Sequence, residues 1–392
     1  MKKSVFLSEM RHYFDWAATA PPDPLGVIEN EKIPFGNPSS RHVEGRAAQR
    51  ILEDARERCA RVLGVSAEQL YWTSGGTEAN ALVLHSLLLR PQVNTVLFSA
   101  VEHPSVRENC FMLERLGKRI ASIPVEPDGR VAAACLEKTL GKHPDAGFAA
   151  VMLVNNETGA VNNIEEISEY LQKRRIAGAK PVHLHCDMVQ GLGKTSGKAL
   201  PLSWVDSASM SGHKIGAPRG IGLLYLKKPL ETIFKGGEQE RGVRAGTENT
   251  GGAVALASCV ERYAGEEAAC SAYENARERF ARLIGFLGEN ERYALIPEDR
   301  GVEDSRFSPY ILQMRVKDLP GEVLVRALDN EGFAISTGSA CSSATNDRPV
   351  LAAMGASKDA RLEGVRISQG RSTAMDDIDA LIETLKRVIR RY

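Results

Sequence analysis

Lys214 closes the run Ser209-Met210-Ser211-Gly212-His213-Lys214, and a Gly-rich loop over 215–220 follows it. A lysine amine becomes a covalent catalyst when it forms a Schiff base with a carbonyl. If that carbonyl belongs to pyridoxal 5′-phosphate (PLP), the site also needs a carboxylate against the pyridinium nitrogen and donors for the phosphate. Asp187 ends an apolar run over 182–186, with Gln190 just beyond. A carboxylate at such a position needs a partner, and a pyridinium nitrogen would satisfy it. Thr73-Ser74-Gly75-Gly76-Thr77-Glu78-Ala79-Asn80 joins an apolar run to a helical one. Backbone amides at a helix N-terminus make a phosphate cradle, with Gly76 allowing close approach and Thr77 adding a hydroxyl. The same residues also read as a plain helix cap.

Four further groups have types that can do chemistry. His103, in Glu102-His103-Pro104, can stack on an aromatic cofactor and exchange protons near neutral pH, or simply cap a helix. Asn155, in Asn155-Asn156-Glu157-Thr158-Gly159, either makes a turn or donates to a cofactor oxygen or a substrate carboxylate. Arg366 lies inside the apolar run Val365-Arg366-Ile367-Ser368. Its fork suits an amino-acid carboxylate, and equally a structural ion pair. Cys341 sits among small residues in Gly338-Ser339-Ala340-Cys341-Ser342-Ser343, where a reactive thiol would have access and mobility. The other six cysteines fall in helical or strand patterns and read as small core residues. The loop Arg241-Gly242-Val243-Arg244-Ala245-Gly246-Thr247-Glu248-Asn249 is basic and Gly-rich, so it can bind phosphate or remain solvated.

The elements that must position these groups can be read from periodicity. Apolar runs at 70–73, 95–99, 119–123, 149–154, 182–186 and 206–210 read as buried strands. Helical patterns at 79–89, 104–116, 132–140 and 164–175 separate them. An earlier helix carries the stripe Ala47, Ile51, Leu52, Ala55, Cys59 and Val62, with arginines and glutamates between them facing water. The alternation predicts an α/β fold with a mostly parallel sheet covered by helices on both faces. Ligands bind such sheets at the carboxyl ends of the strands, and Thr77, His103, Asn155, Asp187 and Lys214 all follow strand-like runs. A long helix is expected over 253–287. Strands near 310–316, 334–337 and 365–368 follow, with helices over 320–330 and from 376 onward. These suggest a smaller α+β domain. The expected division is 15–260 for a large domain, with 1–14 and 261–392 forming the small one.

Composition sets bounds on the function. The 392 residues are 43% hydrophobic and 26% charged, with fifty basic and fifty acidic side chains. A neutral total provides no field for gathering nucleic acid or anionic lipid. No run approaches the roughly 20 apolar residues of a membrane span, and residues 1–9 turn polar too soon for a signal peptide. Seven cysteines without CxxC or Cys/His pairs at metal spacing argue against disulfide scaffolds and zinc. A reducing cytoplasm fits that usage.

Taken together and in this order, the motifs resemble those of the cysteine desulfurases, in class V of the fold-type I PLP enzymes. Those motifs are 15–19, 35–42, 73–80, 102–103, 155–159, 187–190, 211–214, 241–247, 338–343 and 366–371. The Gly-Ser-Ala-Cys-Ser form resembles the branch with a longer, mobile cysteine loop, which serves iron–sulfur cluster assembly. The resemblance implies that Lys214 carries PLP and moves the substrate Cα proton, and that Asp187 keeps the pyridine nitrogen protonated. It implies that Gln190 bonds the phenolic oxygen, that His103 stacks on the ring, and that Gly76, Thr77, Ser211 and His213 hold the phosphate. Thr247 would reach in from the second subunit of a homodimer. Arg366 and Asn155 would take the substrate carboxylate. Cys341 would accept sulfur from L-cysteine as a persulfide, release alanine and pass the sulfur to an acceptor protein. No metal is implied.

Some features depart from that family. Trp16 stands where asparagine is usual, 25–34 is shorter than the usual connection, and 344–351 differs slightly. The sequence ends soon after its last helix, which leads us to expect a different or weaker docking mode toward a scaffold protein. Two other readings remain open: a selenocysteine lyase or other class V aminotransferase, and a non-enzymatic interaction protein on a PLP-enzyme scaffold. An aminotransferase would have no need of Cys341. Retention of Lys214, Asp187, His103 and Cys341 together argues against the non-enzymatic reading.

Overall fold

Short apolar runs separated by amphipathic helices build the sheet that carries the candidate residues. The computed structural model describes residues 11–24, 33–196, 200–338 and 348–392. After β1 (His12–Tyr13) and α1 (Val43–Leu63), strands and helices alternate. They are β2 (Leu70–Thr73), α2 (Gly76–Ser86), β3 (Thr95–Ser99), α3 (Pro104–Arg115), β4 (Arg119–Ile123), α4 (Ala133–Lys142), β5 (Ala146–Ala150) and α5 (Ile164–Ile176). Then come β6 (His183–Asp187), β7 (Ser207–Ser211) and β8 (Gly222–Leu226). Strands β2 to β8 form one sheet in the order β2-β8-β7-β6-β5-β3-β4. All run parallel except β8, which is antiparallel to both of its neighbours.

Both faces of the sheet are buried, as the continuous apolar runs require. Leu97, Ala149, Ala208 and Leu223 face a core shared with α1, α4 and α5. Val96, Phe98, Phe148 and Leu224 face a second one, built with α2 and α3. The parallel sheet and its helices match the expectation. The strand expected over 149–154 pairs over Ala146–Ala150 instead, although Val151 and Leu153 still donate to the carbonyls of His185 and Asp187.

Three expectations need correction. On α1, Arg56 does not face water. It is buried and makes a two-pronged pair with buried Glu240, both contacts at 2.7 Å. Glu53 one turn earlier and Leu70 O take its other donors, and together these partners make the burial tolerable. The long helix expected over 253–287 is two helices, α6 (Thr250–Tyr263) and α7 (Glu266–Leu287), because Gly265 between them is extended at φ −61°, ψ 145°. The cysteines are not all core: Cys59, Cys110, Cys186 and Cys259 are buried, Cys135 is half-buried and Cys270 is exposed on α7.

The rest of the chain makes a further core. After α7 come β9 (Tyr293–Leu295), β10 (Ile311–Val316), α8 (Gly321–Asn330), β11 (Phe333–Ala334), α9 (Pro349–Ala353), α10 (Lys358–Glu363), β12 (Gly364–Ser368) and α11 (Met375–Ile389). The order β12-β10-β9 is antiparallel. Phe280, Leu283, Leu312, Leu324, Ile367 and Leu381 pack there, together with Phe14 from the start of the chain. Strand β1 pairs in parallel with β11.

Residues 14–17 then run from this core to the main sheet. Ser368 N donates to Phe14 O at 2.8 Å, and Ala17 N donates to Ser368 Oγ at 2.9 Å. Trp16 is buried against Gly370, where a Cβ would lie 2.1 Å from its ring. Arg371 sits between Trp16 and Tyr263, at 5.4 and 4.6 Å from the ring centres. Trp16 therefore acts as a wedge between the chain's beginning and the turn after β12. Among the described residues no helix is long and apolar enough to cross a membrane.

Candidate active site

A cavity of about 490 Å³ opens at the carboxyl ends of the central strands, where this topology puts ligands. Lys214, Asp187, His103, Gly76, Thr77, Ser211, His213, Gln190 and Arg366 all line it. Lys214 is at the end of the one-turn helix Gly212–Lys214 that follows β7. Its Nζ donates to Ala17 O at 2.6 Å and to Ala18 O at 2.8 Å. Burial first, and Arg366 second, lower its pKa to about 8, against the pull of Asp187 and Asp15. Near neutral pH about a tenth of it is therefore neutral, far more than for an ordinary lysine, and the neutral amine is the form that attacks a carbonyl.

Asp187 ends β6 and is held at both oxygens. Val189 N donates to Oδ1 at 3.0 Å, and Asn80 Nδ2 donates to Oδ2 at 2.8 Å. Asn80 is fully buried on α2 and also donates to Ser105 Oγ at 2.8 Å. Because Nδ2 serves a carboxylate, Oδ1 is left as the acceptor, and His185 Nε2 lies 2.8 Å from it as the donor. Burial lowers His185 to about 3, so its imidazole is neutral. Ser105 passes the order on to His103. The Ser105 N–H donates to His103 Nδ1 at 3.1 Å, with Ser105 Oγ 2.8 Å from the same nitrogen. The His103 ring proton is therefore on Nε2. Burial pulls the pKa of His103 down, Asp187 opposes this, and Lys214 adds to it.

The anion end is built from α2. Its cap residue, Gly75, offers no side-chain hydrogen bond and adopts φ 150°, so the first amides of the helix are not capped by a side chain. Gly76 has no room for a side chain, since a Cβ would meet Val189 Cγ2 at 2.5 Å. Strand β8 supports the loop from below, with the Gly222 Cβ position 2.6 Å from Gly75 Cα. Ser211 and His213 flank this end. His213 Nδ1 lies 3.2 Å from Thr19 Oγ1, and burial lowers its pKa to about 4.

Arg366 comes from β12 and is almost fully buried. It donates to Asp15 Oδ1 at 2.7 Å and to Asn156 O at 2.8 Å, while its Nε has no partner among the described residues. Asn155 does not reach the cavity wall. Its Nδ2 donates to Val101 O, and its Oδ1 accepts from the backbones of Glu157 and Thr158. Asn156 lines the cavity in its place. Thr247 is exposed and does not line this cavity, although its loop reaches two lining residues, Arg244 donating to Glu78 and Asn249 to Gly220 O. Cys341 lies outside the described residues, but Gly338, three positions earlier, lines the cavity.

Gln190 Nε2 donates to Ala17 O at 2.9 Å, and its Oε1 accepts from Lys194 Nζ at 3.1 Å. Sequence reasoning assigned no role to Asn80, Ser105, Asp15 or Lys194. The one readable signal was spacing, because Lys194 is four residues after Gln190 and Asn80 is three after Thr77.

The geometry joins an amine, a carboxylate, an uncapped helix N-terminus and an arginine in one cavity. It can hold an anionic carbonyl compound and orient an amino acid beside it. Residues 12–381 match the sequence profile of the class V aminotransferases. A NifS/IcsS protein homologue of Lactobacillus delbrueckii subsp. bulgaricus is 33% identical over 389 residues, spanning 97% of both chains. The cysteine desulfurase IscS of Dictyoglomus turgidum is 32% identical, over 97% of this chain and 94% of its own. Among solved structures, a NifS-like protein superposes with TM-score 0.88 at 28% identity, covering 98% of this chain and all of its own. The chain belongs to the class V aminotransferase family, among relatives that bear the names IscS and NifS.

Proposed function

We propose that this chain is a PLP-dependent cysteine desulfurase, converting L-cysteine to L-alanine and retaining the sulfur as a persulfide. The observation that carries the reading is the convergence of Lys214, Asp187, the α2 N-terminus and Arg366 on one cavity. These residues fit PLP. The Lys214 amine suits its carbonyl, the doubly held Asp187 its ring nitrogen, and the uncapped amides of α2 with Ser211 and His213 its phosphate. When bound, PLP supplies the electron sink that weakens the bonds of the substrate α-carbon and its neighbour.

This chain's residues do the rest. Arg366, which lines the cavity, takes the substrate carboxylate. Lys214 Nζ moves the Cα proton, and His103, with its proton on Nε2, serves as acid and base against the ring face. The Cys341 thiolate attacks the substrate sulfur. The S–S bond forms as the C–S bond breaks, the electron pair stays on carbon, and protonation there completes alanine. Cys341 is left as a persulfide for an acceptor protein in the cytoplasm. The chain works as a homodimer in which Thr247 serves the partner's phosphate, supported by its exposure and its place outside the lining of its own cavity. We place the large domain at 15–260 and the small one at 1–14 with 261–392, supported by the separate core that α7 and later elements build.

The test is to purify the chain, record its visible absorbance, add L-cysteine, and measure alanine and sulfide. Replacing Lys214 with Ala should remove the visible band. Replacing Cys341 with Ser should keep the band and abolish sulfide release. Unchanged sulfide from the Cys341 variant would refute the thiol's role, and a colourless, inactive wild type would refute the whole reading.

A further inference from the structure

Lys194 is buried, and its one hydrogen-bond partner among the described residues is the neutral Gln190 Oε1. The charged neighbours that act on it are all cations: Lys214, Arg366 and Arg371. Burial first, and those cations after it, lower its pKa to about 7, so the amine is costly to bury whether it keeps or loses its proton, and an apolar side chain would be cheaper there. A placement of that kind calls for a task at Gln190, its one hydrogen-bond partner among the described residues.

The two polar ends of the Gln190 amide are both occupied. Oε1 receives Lys194 Nζ at 3.1 Å, and Nε2 gives one hydrogen to Ala17 O at 2.9 Å. The reverse orientation would turn Nε2 against the donor of Lys194 and Oε1 against the Ala17 carbonyl, repulsive at both ends. With one hydrogen of Nε2 spent on Ala17, the second is left for the cavity that Gln190 lines. Ala17 O is also the acceptor of Lys214 Nζ. It stays in place for Gln190 once Lys214 has turned to another partner.

We propose that Lys194 is a positioning residue: it locks the Gln190 amide so that an N–H, and never the carbonyl, faces the ring oxygen of the bound cofactor. The inference rests on the PLP reading given above. A fixed N–H donor favours the ionised form of that oxygen and holds down the proton affinity of the Lys214–cofactor linkage beside it. Without the lock the amide can present its carbonyl, and the proton affinity rises.

The test uses the holoenzyme as wild type, Lys194→Met, Gln190→Leu and the double variant. It reads the pH midpoint of the change in the cofactor's visible band. Each single variant should raise the midpoint by about one pH unit, and the double should fall clearly short of the sum of the two, because the part of the lysine's effect that runs through the glutamine is already gone, leaving only its direct charge on Lys214. A coloured Lys194→Met variant at the wild-type midpoint, or shifts that add in the double, would overturn the lock while the functional reading stands. A wild type that binds no cofactor would overturn both. Thermal unfolding shows whether Lys194→Met folds. If it does not, Lys194→Gln, one atom shorter and out of reach of Oε1, takes its place in the cycle with the same expectations.

Discussion

Asn80 donates to Asp187 and to Ser105 and accepts from His185, so one buried amide sets the carboxylate of the cavity and, through Ser105, the ring of His103. Asn80→Leu keeps the volume and leaves three polar partners without their bonds. It should cost about 2–4 kcal/mol of stability and weaken cofactor retention, measurable by urea unfolding and by dialysis of the loaded protein. An unchanged urea midpoint would mean that water replaces the amide. Lys214, Asp187 and His103 were readable because each closes or follows an apolar run, and strand ends in a parallel sheet face the ligand. Asn80 was not, because its partner Asp187 is 107 residues away and nothing local marks the pairing. Asn155 also closes an apolar run, but the free N–H groups of 157 and 158 capture its side chain before the cavity can.

Strand β8 shows what periodicity leaves out at the level of elements. Residues 222–226 directly follow a Gly-rich loop and were not among the strands expected from apolar runs. Only pairing with β2 and β7 makes it a strand. Its first residue supports the phosphate end. A Cβ at Gly222 would lie 2.6 Å from both Gly75 Cα and Met210 O, neither of which is the movable end of a side chain. Gly222→Ala should therefore push the 74–77 loop outward, costing about 1–3 kcal/mol of stability. It should also weaken phosphate-bearing ligands more than it alters KM for the amino acid. Equilibrium titration of the apo-protein with PLP checks this, and wild-type affinity in a folded variant would refute it. The Arg56–Glu240 pair is a similar case. A helical pattern places arginine in water by default, and only Glu240, 184 residues downstream, could say otherwise.

At the scale of the whole molecule, the mostly parallel sheet covered by helices followed from alternation, while its strand order did not. The expected division already put the first residues with the chain's end; the β1–β11 pairing itself was not legible, because β1 is two residues long and its partner β11 is near the far end of the chain. Buried ionisable groups make the assembled protein sensitive to acid. His185 is fully buried with its pKa lowered to about 3, against about 6.5 when unfolded. The unfolded chain binds the extra proton between those values, so stability falls as pH drops through that window, at up to about 1.4 kcal/mol per pH unit. Glu102 works in the opposite sense, since burial raises it to about 8 and the folded form keeps its proton. The comparison that isolates His185 is wild type against His185→Gln. The variant should lose less of its urea midpoint between pH 7 and pH 5, and parallel losses would show that the imidazole is not responsible.

The chain's opening residues close on its last strand. Asp15 pairs with Arg366, and Ala17, whose carbonyl holds Lys214, donates to Ser368, both across 351 positions. During synthesis, then, the segment that seats the lysine waits without its support until β12 has left the ribosome. A nascent chain can complete its main sheet long before that point, yet residues 14–17 have no final seat. The cavity gains Arg366, and the support of Lys214 its anchor, only with the last few dozen residues, so a prematurely released chain is a folded sheet around an unfinished cavity.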